Sequence, residues 1–390
     1  MKRLPNMDFL DGNICKELRK VVNSSRIFHR DEQEKRNYNL ICAVMDRVDD
    51  SVEFLNQYNT SSQNMNDIML FMLHSCIIKD AVQETMEQLK IKDEQKEIKK
   101  HFMNVCADAP LYLIGDNCPT DIKFFEYLRA LIFAHPLNTS RAPFLKEKNE
   151  IHYSPFLLSD FNNLKKDCIG ILVYSNQQSA TKTLYVPYDS LKSFIKNRYE
   201  QLILVKNELE RRIENKKEEW KRKKINRNQP DIQILQEVYD TLNDRFCDTY
   251  EIECVIKFLK YKSENSKNKN SVQRIRNIII SLIPQICDSV DNLDYDKLAN
   301  VVDEIIYAYP KNTYQMFGYD REKIFSYLNE NTNTDKIWGL QRAQSFSKQF
   351  AKKWVDIDVE TMSYDEIKLL TITACYLELQ AEKENNNEQN

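Results

Sequence analysis

Residues 121–136 read DIKFFEYLRALIFAHP, and the spacing of their apolar side chains decides the fold class. At about 100° per residue, Phe124, Phe125, Leu128, Leu131 and Ile132 share one broad face, which Ile122 and Phe133 widen. Only Lys123, Glu126, Ala130 and Ala134 are left for solvent, so the stretch is a helix covered on most sides. Thr120 is placed to cap its first turn, and Pro136 cannot continue it. On this wheel Arg129 points among Ile122, Phe125 and Phe133, and His135 points to the side of Phe124, Leu128 and Leu131. A guanidinium inside an apolar arc is costly unless an anion meets it. That anion is either a bound ligand or a carboxylate of a neighbouring helix, with Asp46, Asp49, Asp50, Asp80 and Glu84 available. His135, standing before a proline, can equally cap the last carbonyls of the helix.

The flanking sequence extends the helical reading in both directions. Leu40, Ile41, Val44, Val48, Val52 and Leu55 form a helical stripe within 37–58. A second helix, capped by Asn64 or Asn66, carries Ile68, Met69, Met72, Cys76, Ile77, Val82 and Met86 to about Leu89. Five of the ten prolines (Pro110, Pro119, Pro136, Pro143 and Pro155) then place irregular chain on both sides of the 121–134 helix. CIGILVYS at 168–175 and TLYVPY at 183–188 are rich in β-branched and aromatic residues and read as a β-hairpin. Asp189 or Ser190 begins a long helix to about Ile225, with a seam of Leu202, Val205, Leu209 and Ile213, and Pro230 closes it. Beyond it, helices are expected over 231–261, 271–290, 294–308, 320–330, 335–354 and 363–382. SENSKNKN at 263–270 reads as a loop, Ser363 with Glu366 as a capping box, and the tail EKENNNEQN as disordered. The expected architecture is mainly α: a helical domain over 1–190 with its hairpin at about 168–188, a charged connecting helix over 191–229, and an all-helical domain over 230–390.

Composition narrows the function classes. Five glycines, at positions 12, 115, 170, 318 and 339, cannot build a glycine-rich phosphate loop of either common spacing. A net charge of −3 gives no global attraction to nucleic acid or anionic lipid, so such a partner must meet a local patch. Ten cysteines without a C-x-x-C read as reduced thiols in a cytoplasm. His74 with Cys76 is too small a pair for a metal site, and no cofactor or metal is expected. The N-terminal MKRLPNMDFL lacks the apolar run of a signal peptide, and the longest apolar run, around Ile278–Ile283, is too short to span a membrane.

The Arg–His pair, R-A-L-I-F-A-H at 129–135 followed by Pro136, with long helices before it, resembles the HEPN superfamily of helical bundles. That superfamily is marked by an Arg and a His four to six residues apart. The likeness covers residues ~35–140. Directly after the Arg the family usually carries a polar residue, whereas this chain has Ala130. The resemblance implies a metal-independent endoribonuclease that works as a homodimer, of the kind found in toxins and antiviral defence, with a regulatory protein partner possible. It makes Arg129 and His135 the catalytic pair. In those roles His135 moves a proton on the ribose 2′-hydroxyl or the leaving 5′-oxygen, and Arg129 holds the scissile phosphate with its planar fork. Arg141 is a candidate second phosphate contact.

A basic cluster at 216–227, with Trp220, Lys221 and Arg222 at its centre, has two readings. It can steer an RNA backbone and stack a base, or it can complement a helix C-terminus while Trp220 packs on the body. The rival to the ribonuclease is a non-catalytic helical scaffold or adaptor that dimerises through the same bundle, and Ala130 and the near-neutral charge favour it.

Overall fold

The computed structural model describes residues 8–60, 64–110, 113, 118–140, 150–158, 165, 167–177, 179, 181–329 and 332–387. The chain divides into two compact units, Met1–Glu214 and Asn215–Asn390.

The first unit begins with α1 (Asn13–Asn23), α2 (Ile27–Arg30), α3 (Glu32–Gln57) and α4 (Met65–Leu89). Asp31 caps α3 and Asn64 caps α4, each accepting a backbone N–H from two residues ahead. The stripes of α3 and α4 pack along each other, burying Ile41, Val44, Val48, Val52 and Leu55 with Ile68, Phe71, Met72, Cys76 and Met86. A short α5 (Met103–Asp108) precedes α6 (Asp121–Arg129), which runs into a π-helical turn over Ala130–Ala134. Thr120 caps α6 as its sequence position requires. The fully buried Phe124 and Phe125 lie against Phe102 and against Phe194 of α7 (Tyr188–Glu200), with ring centroids 4.8 to 5.5 Å apart. Arg198 of α7, fully buried, is held by both oxygens of Asp93 at 2.8 and 3.0 Å.

The expected hairpin is present as β4 (Cys168–Ser175) and β5 (Lys182–Pro187), antiparallel with Ile169 opposite Val186 and Ile171 opposite Leu184. Three shorter strands join it: β1 (Thr139–Ser140), β2 (Ile151–Tyr153) and β3 (Leu157–Leu158). β1 pairs with β2, and β2 and β3 both pair with β4, all antiparallel. Strands of two or three residues carry too little alternation to stand out from a proline-rich stretch. The long helix expected after the hairpin is two helices, α7 and α8 (Leu202–Arg222), separated by a single tight turn at Gln201. The unit boundary falls within α8.

The second unit continues with α9 (Asp231–Asp244), α10 (Tyr250–Lys260), α11 (Ser266–Asp291), α12 (Tyr295–Ile306), α13 (Lys311–Asn329), α14 (Asn333–Gln349) and α15 (Tyr364–Asn387) around one apolar core. The helix expected over 231–261 is broken where Phe246 takes a left-handed φ of 62°. Next to it the buried Arg245 donates to the carbonyls of Val290, Trp220 and Lys223, contacts that an unbroken helix would forgo. Five of the eight residues of the expected SENSKNKN loop are helical. Asn265 caps α11, and the buried Asn268 exchanges two hydrogen bonds with the Asp356 backbone, at 2.8 and 2.7 Å. α15 continues through the asparagine-rich tail to Asn387. No helix among the described residues is long and apolar enough to cross a membrane.

Candidate active site

The fold turns Arg129 and His135 into the two ends of one π-turn. Arg129 is the last residue of α6, and the His135 N–H bonds back to the Ala130 carbonyl, five residues earlier, at 2.9 Å. Single π-turns in otherwise α-helical segments are frequent at functional sites. His135 then leaves the helix at φ −143°, ψ 48°, with its side chain exposed. The sheet fixes the chain beyond it: Thr139 Oγ1 donates to the His135 carbonyl at 2.9 Å, and Ser154 N–H donates to the Pro136 carbonyl at 2.7 Å.

The anion that Arg129 requires comes from its own helix rather than from a neighbour. Arg129 Nη1 donates to Glu126 at 3.1 Å. Glu126, expected in solvent, is half-buried because it also receives the ammonium of Lys79 on α4. Lys79 in turn lies 2.7 Å from Asp80. Of the other carboxylates available to Arg129, Asp46 and Asp49 pair with Arg19 instead, at 3.0 and 2.8 Å. Burial by itself would raise the Glu126 carboxyl, but Lys79 and then Arg129 outweigh it and hold the group below its ordinary value. Arg129 keeps a third of its side chain exposed, while its Nε is buried with no hydrogen-bond partner among the described residues.

A buried polar chain that the sequence reading missed runs beside this turn. Tyr127, two residues before Arg129, has its hydroxyl 2.8 Å from His152 Nδ1 on β2. On the far side of the ring, His152 Nε2 faces Glu150 at 3.3 Å without hydrogen-bond alignment, and Ser175 donates to the same Glu150 oxygen at 2.6 Å. His152 is 0% and Glu150 1% exposed. Burial lowers the His152 imidazole despite Glu150, so the ring sits as a neutral link between helix and sheet. The one local signal for this group was Glu150-x-His152, a two-residue spacing that puts both on one side of extended chain.

Of the remaining candidates, Trp220, Lys221 and Arg222 belong to the second unit. Arg141 falls outside the described residues. Trp220 is partly buried against Phe246, at 6.2 Å and nearly perpendicular. Lys221 pairs with Glu218, Lys223 with Asp244, and Arg227 with Asp288 and Asp291, while Arg222 is exposed. A surface cavity of about 530 Å³ is lined by Lys90, Arg211 and Arg212, but Arg212 is engaged by Glu34, Glu208 and the Leu89 carbonyl. Among the described residues no group of three or more His, Cys, Asp or Glu converges as metal ligands. Comparison with protein-family models, curated proteins and solved structures finds no match for the chain.

Proposed function

We propose that the first unit is a metal-independent endoribonuclease of the HEPN type, with Arg129 and His135 as its catalytic pair. The observation that carries this reading is the π-turn, which begins directly after a partly exposed arginine and ends on an exposed histidine. In this reaction the ribose 2′-oxygen attacks the adjacent phosphorus, and the bond to the 5′-oxygen breaks. His135 takes the 2′-hydroxyl proton or gives one to the leaving 5′-oxygen. Arg129, its charge fixed by Glu126, holds the phosphate and stabilises the negative charge that builds on it. The products end in a 2′,3′-cyclic phosphate and a 5′-hydroxyl.

Assembly as a homodimer belongs to the same proposal. Leu137, two residues after His135, is 74% exposed, and Phe156 on the neighbouring β2–β3 connection and Leu70 and Leu73 on α4 are also open. Apolar surface of this kind suits pairing with a second copy. RNA as substrate and a regulatory protein partner rest on the HEPN likeness. The deciding experiment is incubation of the purified protein with RNA in EDTA. Cleavage that leaves cyclic phosphate ends and disappears in His135→Ala supports the reading. A magnesium requirement or 3′-hydroxyl ends would remove it.

One observation favours the scaffold reading instead. Glu126 already satisfies the Arg129 charge within the helix, so no substrate is needed to explain a cation there. Absence of cleavage, together with a dimer in sedimentation, makes that reading the better one.

A further inference from the structure

Ten cysteines are present in the chain, and all ten are free thiols. Two of them meet. Cys106 on α5 and Cys118, two residues before the Thr120 cap of α6, place their sulfurs 2.6 Å apart. Both side chains are only partly buried, so a small reagent can reach them, whereas Cys15, Cys76, Cys254, Cys287 and Cys375 are buried. A disulfide needs its two sulfurs at about 2.05 Å with correctly aimed Cβ atoms, and at 2.6 Å these two sulfurs already stand close to that length.

We propose that Cys106 and Cys118 are a reversible redox pair, closed into a disulfide by exchange with a low-molecular-weight disulfide of the glutathione class. Burial, then the neighbouring Cys118, pushes the Cys106 thiol up. Once deprotonated, one of the two cysteines attacks one sulfur of the small disulfide, and the other half leaves as a thiolate. The second cysteine then gives its proton to water, attacks the protein sulfur of the mixed disulfide, and expels the second small thiolate. One external disulfide is reduced to two thiols, and two protein thiols are oxidised to one disulfide.

The position of the pair gives the bond a structural consequence. Two residues after Cys118, Thr120 caps α6, and the buried Asp121 carboxylate accepts the backbone N–H groups of Lys100, His101 and Phe102. A bond between Cys106 and Cys118 closes the short chain between α5 and α6 and fixes the entry to the helix that carries Arg129. The inference stands on the sulfur geometry and does not depend on the ribonuclease reading.

The test uses the whole protein equilibrated across buffers from reduced to oxidised glutathione, then alkylated and digested. Trypsin releases both cysteines in one peptide, residues 101–123, because no Lys or Arg lies between Lys100 and Lys123. In oxidised buffer this peptide is expected without alkylation and ~2 Da lighter than its reduced, unalkylated form. Cleavage before Asp108, Asp116 and Asp121 should leave the fragments 101–107 and 116–120 joined, separating only on reduction. The first melting transition of the oxidised protein is expected roughly 5–10 °C above that of the reduced protein, with no redox dependence in Cys106→Ser or Cys118→Ser. Two alkylated cysteines in fully oxidised buffer overturn the proposal. So does either cysteine stopping as a mixed disulfide with glutathione, or pairing with any other cysteine. A melting shift that persists in both serine variants assigns the stabilisation to another group and overturns the structural consequence.

Discussion

Glu126 serves two cations at once, and one of them is almost wholly buried. Lys79 is 6% exposed and depends on Glu126 and Asp80 for compensation, while Arg129 keeps an open side. Because the Glu126 carboxyl is held below its ordinary 4.5, its stabilising effect is complete above that pH and is lost as pH falls through the lower folded-state value. Thermal melts from about pH 7 to about pH 3 should show wild type above Glu126→Gln at neutral pH and converging with it in acid. Parallel curves would show that the ion cluster contributes nothing through Glu126. The catalytic reading makes its own demand on neighbouring residues. His135→Ala should lower RNA cleavage by ~10²–10⁴-fold with an unchanged melting temperature, since the side chain is exposed. Arg129→Lys should fail as well, because lysine keeps the charge and loses the fork. Retained cleavage in either variant excludes that residue from the chemistry.

Among the elements, α4 ends at a point of backbone tension. Its C-terminal residue Leu89 is followed by Lys90 at φ 60°, ψ 36°, a left-handed cap that glycine adopts without steric cost. The Lys90 side chain is exposed, so Lys90→Gly removes little packing. It is expected to raise stability by ~0.5–1 kcal/mol, after discounting the extra freedom glycine has in the unfolded chain. Urea unfolding checks this, and a lower midpoint would show that the lysine side chain matters at that corner. At the same scale α6 was legible in its start, its buried face and its Thr120 cap. Its end near Ala134 was legible too, but the π character of the last turn was not, because a π-turn differs from an α-turn by one backbone register and leaves no periodic mark in the sequence.

For the molecule as a whole, two units each hold a core, and the first leaves several large apolar side chains open. Leu70, Leu73, Leu137 and Phe156 are each more than two-fifths exposed. If a second copy covers the surface beside His135, sedimentation at micromolar concentration should give a dimer, and Leu137→Asp should shift it to monomer. A wild-type monomer that still cleaves RNA would keep the chemistry and remove the composite site.

The sequence by itself determined the helical class, the 168–188 hairpin, the Thr120 cap and the need for an anion near Arg129. Those features follow from local periodicity, from side chains that reach the backbone two or three residues away, and from the cost of burying charge. The anion is Glu126, an i,i+3 neighbour on the same helix, and tertiary structure alone decided that Lys79 of α4 shares it. It also decided that His152 meets Tyr127 across 25 residues of chain, that Cys118 meets Cys106, and that Arg245 breaks the helix before α10 to reach three carbonyls. Periodicity fixes the direction in which a side chain points, but its partner is selected by packing between segments distant in sequence, where several groups of equal chemistry compete for one position.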